Sequence, residues 1–382
     1  MGAMRRFSSP GPALATRLAF VVAGFVSAGW APLIPFAKSR LAVNDAQLGL
    51  ILLSFGVGSL VGVAAAGLAA ARLGARPVVI AGGLGMCLLL PALSLAASPL
   101  GLGAALFAFG ASLGALDMAM NAHGVEVETA AGVPLMSGFH ALFSLGGGLG
   151  AGWMTLALRA HLTPLTATIA AAVVGAGLIA ASAAGLLNAR PKGGRGLALV
   201  MPSGVVVVIA ALAAMMFLSE GAIFDWSALL MVDRGLAGRG GAGVGFLAFS
   251  VAMTAGRLAG DAVVARLGAR RVLRWGGALA IAGLVLVLAS PVAAPAIGGF
   301  LLVGLGAANV VPVLFSAAGR QSAMPPTAAV AAVTSTAYAG LLAGPPVLGF
   351  VAHRLGLPTA FWLVAGLLVC VPLLAGPATK AA

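Results

Sequence analysis

A run of about 20 apolar residues is long enough to cross the hydrocarbon core of a bilayer as a helix, and this sequence holds twelve of them. Charged or Pro/Gly-rich breaks delimit the runs at 15–37, 47–69, 77–97, 101–122, 136–158, 165–187, 203–230, 242–262, 272–290, 296–318, 328–351 and 358–376. Ala, Gly and Leu dominate them and no period-2 alternation is present, so the runs are expected to be helices rather than strands. Of the 382 residues 61% are hydrophobic and 8% charged, against about 25% charged in a soluble domain. That balance excludes a soluble enzyme, a disordered chain and a disulfide scaffold. The expected fold class is an all-α membrane protein with twelve transmembrane helices.

A net charge of +13 could point to nucleic acid, but the basic residues stand singly or in short clusters between apolar runs. They serve orientation instead. With the N-terminus inside, fourteen face the cytoplasm: Arg5, Arg6, Arg17, Arg72, Arg76, Arg190, Lys192, Arg195, Arg266, Arg270, Arg271, Arg274, Arg320 and Lys380. Six face the other side: Lys38, Arg40, Arg159, Arg234, Arg239 and Arg354, while Arg257 falls inside a span. The asymmetry places both termini in the cytoplasm of a multi-pass inner-membrane protein. Arg5-Arg6-Phe7 matches a twin-arginine signal in letters, yet the first run is too long, and too poor in a cleavage site, for a removable leader. Cys87 and Cys370 lie inside apolar runs without metal or redox spacing and are read as packing residues.

The sequence also repeats. Arg72-Leu73-Gly74-Ala75-Arg76 recurs as Arg266-Leu267-Gly268-Ala269-Arg270, 194 positions on, and Gly49, Phe55 and Gly62 fall on Gly243, Phe249 and Gly256. Each copy lies between the second and third span of its half. A half-length period implies two pseudo-symmetric six-helix bundles, expected at 1–187 and 203–382 with a cytoplasmic linker at 188–202. Such a duplication suits alternating access, one half rocking against the other.

On these motifs the chain resembles the major facilitator superfamily (MFS) over essentially its whole length. The signature loop of that family, Gly-x-x-x-Asp-Arg-x-Gly-x-Arg/Lys, is similar to Gly67–Arg76, with Ala71 in the Asp position, which removes an acid from the usual charge latch. The second copy runs from Gly256-Arg257 through Asp261 to Arg266–Arg271. A narrower resemblance is to the fucose-permease-like branch, carried by Leu116–Asn121, Met136–Gly147, Ser219–Ser227, Gly306–Pro312 and Gly344–Pro346. It implies a secondary transporter rather than an enzyme, acting as a monomer on a small solute without a cofactor.

An ionisable side chain inside a span costs about 2.5–3.5 kcal/mol on insertion scales, so each one needs a reason. Asp117 lies in the fourth span with Asn121 one turn on. The resemblance implies that Asp117 is a proton acceptor coupled to sugar-like transport; a helix-packing acid is the alternative. His140 matches a sugar-contacting position, usually Asn in the family, where imidazole could bind solute or relay protons; a core histidine is the alternative. His123, Glu126 and Glu128 are expected to be solvated at the end of span four. Glu220 and Asp225, five apart, point about 140° apart on a helix, so one of them is expected to line the cavity. Asp225 falls on Ala31 in the repeat, where the sugar symporters of the branch carry an Asp, and its loss weighs against proton–sugar symport. Trp226, Trp30 and Asn309 could stack on or hydrogen-bond a solute, or simply pack, as could Tyr338. Arg257 and Asp261, four apart, are expected to pair along one helix face. With Arg72, Arg76, Arg266 and Arg270 they form the gating or structural set.

Two motifs mislead. Gly110-Ala111-Ser112-Leu113-Gly114 spells a nucleophile elbow, and Gly146–Gly152 a phosphate-binding loop, but neither follows a strand. With Gly58/Gly62 and Gly256/Gly260 these glycines are expected to let helices approach closely. No metal cluster or nucleotide loop is present, so ATP is not the energy source. The leading function is proton-driven movement of a small polar organic solute, sugar-like uptake being favoured. Proton-antiport export of drugs or metabolites is the alternative, and a transporter-like sensor or integral-membrane enzyme the minor one.

The charge asymmetry generates a test of orientation. In a background lacking Cys87 and Cys370, a single Gly194→Cys should stay unlabelled by an impermeant thiol reagent in intact cells. Labelling there would reverse the orientation.

Overall fold

The computed structural model describes residues 11–133, 135–187 and 201–379. Arg5, Arg6, Arg190, Lys192, Arg195, Lys380 and positions 188–200 of the expected linker lie outside the described residues. All twelve apolar runs are helices: α1 (Gly11–Leu41), α2 (Asp45–Leu73), α3 (Ala75–Leu95), α4 (Pro99–Ala131), α5 (Met136–Arg159) and α6 (Pro164–Ala183) precede the linker. After it come α7 (Val205–Asp233), α8 (Arg239–Leu258), α9 (Ala269–Ala289), α10 (Ala293–Arg320), α11 (Pro326–Leu355) and α12 (Leu357–Thr379). Among the described residues there is no strand. Large apolar side chains point outward, Leu88 at 77%, Leu100 at 84% and Leu373 at 70% exposure, as lipid-facing surfaces do.

Helix boundaries follow side-chain chemistry. Ser98 and Thr163 accept hydrogen bonds from Gly101 N–H and Thr166 N–H, each at 3.1 Å, and a proline follows each cap. Both features favour a helix start. Glu128, at the end of span four, accepts the backbone N–H groups of Leu135 (2.6 Å) and Met136 (2.8 Å), so the last turn of α4 caps α5. The turn between Arg72 and Arg76 requires Gly74 at φ +90°, and its copy requires Gly268 at φ +76°. Side chains are rarely tolerated there, which explains why the repeated pentapeptide centres on glycine.

The chain folds as two compact units, one made of Met1–Ala42 with Ser54–Gly196, the other of Val43–Leu53 with Leu197–Ala382. In the first unit α1 packs on α5 and α6, and α3 on α4 and α6. In the second α7 packs on α11 and α12, and α9 on α10 and α12, the same pairs six helices on. The repeat extends to individual crossing points. A Cβ at Gly110 would strike the Phe55 carbonyl oxygen, and one at Gly304 would strike that of Phe249. Gly58 and Gly62 meet Phe107 and Ala111 in the same way, while Gly146 and Gly150 meet Val21 and Phe25 of α1. The glycine motifs are helix-crossing surfaces.

The two halves differ at their first helices. In α1 the helix stops at Ala28, passes through a 3-10 turn at Ala31–Leu33 and resumes at Ile34. Pro32 and Pro35 lack the N–H that a continuous helix would need. Their counterparts are Trp226 and Leu229, and α7 is continuous.

Two arginines give the halves matching clamps. Arg40 donates from Nε to Ala96 O (3.1 Å), from Nη1 to Ser94 O (2.7 Å) and from Nη2 to Leu93 O (2.8 Å). Arg234, 194 positions later, donates to Val287 O (2.6 Å), Leu288 O and Ser290 O (3.0 Å). Donors and acceptors all carry the repeat offset. Each guanidinium satisfies the orphan carbonyls at the C-terminus of α3 or α9, where a cation also meets the negative end of the helix dipole. Replacing either by Gln should lower thermal stability in detergent by roughly 1–2 kcal/mol. Arg234→Gln should cost more than Arg40→Gln because Arg234 is the less exposed of the two. Lysine should rescue only partly, being a point charge rather than a fork; full rescue would reduce the clamp to charge alone.

Candidate functional site

In the first unit, α4 carries Asp117 near its midpoint. The carboxyl is partly buried. Asn121, one turn on, donates from Nδ2 to the Asp117 carbonyl oxygen (2.9 Å) and to Oδ1 (3.1 Å). Among the described residues no cation pairs with Asp117. The expected Asp117–Asn121 neighbourhood therefore exists, with one carboxyl oxygen held from its own helix. His140 on α5 is exposed, its ring edge-on to Phe20 at 5.2 Å between centroids. Phe20 in turn stacks on Phe139.

His123 is not solvated. It is fully buried. Leu187 N–H donates to Nε2 (2.8 Å), so Nδ1 carries the hydrogen and donates to Thr16 Oγ1 (2.9 Å), which donates on to Pro12 O (2.8 Å). Every donor in that chain has an acceptor. The histidine ties α4 to the start of α1 and to the segment beyond α6. Sequence reading missed it because no local spacing joins positions 16, 123 and 187.

The second unit corrects the expected charge pairing. Arg257 does not turn to Asp261; its Nη2 lies 3.6 Å from Glu220 Oε2 on α7, with the side chains 36% and 25% exposed. The helix breaks at Ala259 between Val244–Leu258 and Gly260–Leu267, so positions 257 and 261 do not share one continuous face. Asp261 is exposed and, among the described residues, without an ion pair. Asn309 supports that break. It stands where α10 is interrupted and donates from Nδ2 to Gly256 O at 3.0 Å. Its Oδ1 fills the space that a Cβ on Gly260 would need.

Glu220 and Asp225 separate as their angle requires. Glu220 meets Arg257 with one oxygen, while Oε1 is buried without a hydrogen-bond partner among the described residues. Asp225 is 8% exposed, and among the described residues no hydrogen bond or ion pair reaches it. Trp226, which could stack on a solute or simply pack, is fully buried in the packing of α7, and Trp30 nearly so. Neither indole N–H finds a partner among the described residues. Tyr338 on α11 meets Phe217 of α7 edge-on at 5.9 Å. Arg72, Arg76, Arg266 and Arg270 are exposed at the two repeated turns. Among the described residues no group of three His, Cys, Asp or Glu side chains could hold a metal ion.

The polar groups thus form two sets. Among the described residues, one is a carboxyl beside its own amide partner with no cation paired to it, and the other is an acid–base pair whose second carboxyl oxygen has no hydrogen-bond partner. Both sets place ionisable groups inside spans.

No model of a protein family matches the chain. It is 44% identical over 368 residues to an uncharacterized MFS-type transporter of Yersinia pestis, covering 96% of each chain. It is 30% identical over 381 residues to the uncharacterized transporter y4wD of Sinorhizobium fredii, covering 99% of this chain and 100% of that one. A crystal structure of a mutant of the nucleoside transporter NupG superposes with a TM-score of 0.79 over 97% of this chain and 100% of that one. At 12% identity, that likeness carries the fold alone. These likenesses establish the superfamily and not the fucose-permease-like branch. Twelve spanning helices and a relative that matches almost end to end lead to one conclusion: the chain belongs to the MFS-type transporters.

Proposed function

We propose that this membrane transporter moves a small polar, sugar-like organic solute by alternating access of bundles 1–187 and 203–382, driven by protons through Asp117. In this reading the protein is a monomer of the inner membrane, fucose-permease-like, with the 188–202 linker and both termini cytoplasmic. Proton coupling rests on one observation: a mid-span carboxyl bonded by Asn121, with no cation beside it among the described residues. Such a group can load a proton in one state and release it in another without breaking an ion pair. Asn121 holds its orientation in both. His140, exposed on α5, and Glu220, whose side chain is 25% exposed beside Arg257, supply solute contacts.

Export by proton antiport is the second reading. It rests on α1, which contains no acid and buries Ala31 fully at the position matched to Asp225. A hexose panel screened by thermal shift identifies a ligand, since a ligand stabilises the state it binds. Proteoliposomes under an imposed pH gradient then give direction: accumulation with the gradient supports uptake, and movement against it supports export.

Asp117→Asn keeps the shape and cannot lose a proton, so gradient-driven accumulation should fall to background while counterflow exchange persists. Asp117→Glu should retain part of the activity. Unchanged pH dependence in Asp117→Asn would leave Asp117 a packing residue and move coupling to Glu220 or Asp225.

A double-mutant cycle tests the acid–base pair. Glu220→Gln and Arg257→Gln should be non-additive in thermal stability, with a coupling of about 1 kcal/mol, in the range typical of contacting residues. The Asp261→Asn and Arg257→Gln changes should add. Coupling to Asp261 instead would restore the pairing that the helix break excludes.

A further inference from the structure

Four arginines gather where α8 gives way to α9. Arg266 lies near the end of the short helix Gly260–Leu267, while Arg270, Arg271 and Arg274 occupy the first two turns of α9. All four are exposed, and among the described residues none makes a hydrogen bond or an ion pair. Asp261, the one acid nearby in the chain, is exposed and does not neutralise them. The Arg270 guanidinium lies along α12, 3.3 Å from where a Cβ on Gly376 would stand. Trp275, 70% exposed, follows directly. Residues four apart on a helix are neighbours, so Arg270 with Arg274, and Arg271 with Trp275, form adjacent rows.

The turn itself does not demand this charge. On the repeat offset Arg266 and Arg270 match Arg72 and Arg76, but Arg271, Arg274 and Trp275 fall on Pro77, Ile80 and Ala81. The first half makes the same glycine turn with two arginines and no tryptophan. The extra cations repel one another, and among the described residues no acid pairs with them. They border a span, at the depth where tryptophan prefers the headgroup layer, so the anion within reach is a lipid phosphate.

We propose that the α8–α9 corner binds the headgroup of an anionic phospholipid of the phosphatidylglycerol class. Arg271 and Arg274 hold the phosphate, and Trp275 packs at the level of the glycerol backbone. The site belongs to the second half alone and does not depend on which solute is carried.

Trp275 makes the site observable. Full-length protein is placed in nanodiscs containing brominated phosphatidylglycerol or brominated phosphatidylcholine, and quenching of tryptophan fluorescence is measured. Brominated phosphatidylglycerol should quench more strongly, and Trp275→Phe should abolish the difference. Arg271→Gln with Arg274→Gln should cut the preference about thirtyfold, equivalent to about 2 kcal/mol at about 1 kcal/mol per arginine near an anionic surface. Arg72→Gln with Arg76→Gln should leave it unchanged. Equal quenching by the two lipids overturns the proposal, as does a preference that survives Trp275→Phe or the Arg271/Arg274 double change. Inorganic phosphate at matched ionic strength should not compete; if it erases the preference, the corner binds free anions and the lipid assignment falls. The comparison of the two lipids on the unaltered chain and on Trp275→Phe decides the question even if an arginine variant fails to fold.

Discussion

Hydrocarbon offers no hydrogen-bond partner, so every backbone N–H and C=O in the spans must be satisfied by the protein itself. The rest of the structure follows from that demand. It forces each apolar run into a helix, and it leaves the helix ends as the places where side chains must work. Ser98, Thr163 and Glu128 meet free N–H groups, while Arg40 and Arg234 meet free carbonyls. Where a helix is interrupted, at Ala259 or at Asn309, a side chain again supplies the missing bond: Asn309 donates to the Gly256 carbonyl.

With the backbone satisfied inside each helix, association of helices depends on contact rather than on escape from water. Glycine makes that contact close. Gly110 against Phe55 and Gly304 against Phe249 bring main chain onto main chain at equivalent points of the two halves. Letters that spell catalytic or phosphate-binding loops in a soluble protein are spent here on packing. The reason is the absence of a preceding strand: the same glycines inside a continuous helix present a flat face and no turn.

Against this symmetric scaffold the chemistry is asymmetric. The prolines of α1 interrupt a helix that α7 keeps whole, and α7 carries Glu220, Asp225 and Asp233 where α1 carries no acid. The first unit holds its mid-span carboxyl in an amide hydrogen bond, whereas the second holds Glu220 in an ion pair and leaves Asp225 buried. Duplication supplied two copies of the frame, and the polar residues then diverged. The charge at the α8–α9 corner is a further case, since Arg271, Arg274 and Trp275 have Pro77, Ile80 and Ala81 as counterparts.

The sequence by itself determined the twelve helices, the duplicated architecture and the presence of ionisable groups within spans. Hydropathy and a 194-residue period are properties of order along the chain, and lipid translates them directly into spans. It also held an unused signal, for Arg40 and Arg234 share the repeat offset and their common cap could have been sought there. Only the tertiary structure decided which polar groups meet. Arg257 reaches Glu220 across two helices because the helix beyond it breaks before Asp261. His123 is buried because Thr16 and Leu187 arrive from distant segments to occupy both ring nitrogens. Asn309 packs because Gly256 and Gly260 leave it room. Partners of this kind are chosen by crossing geometry between helices, which local spacing does not encode.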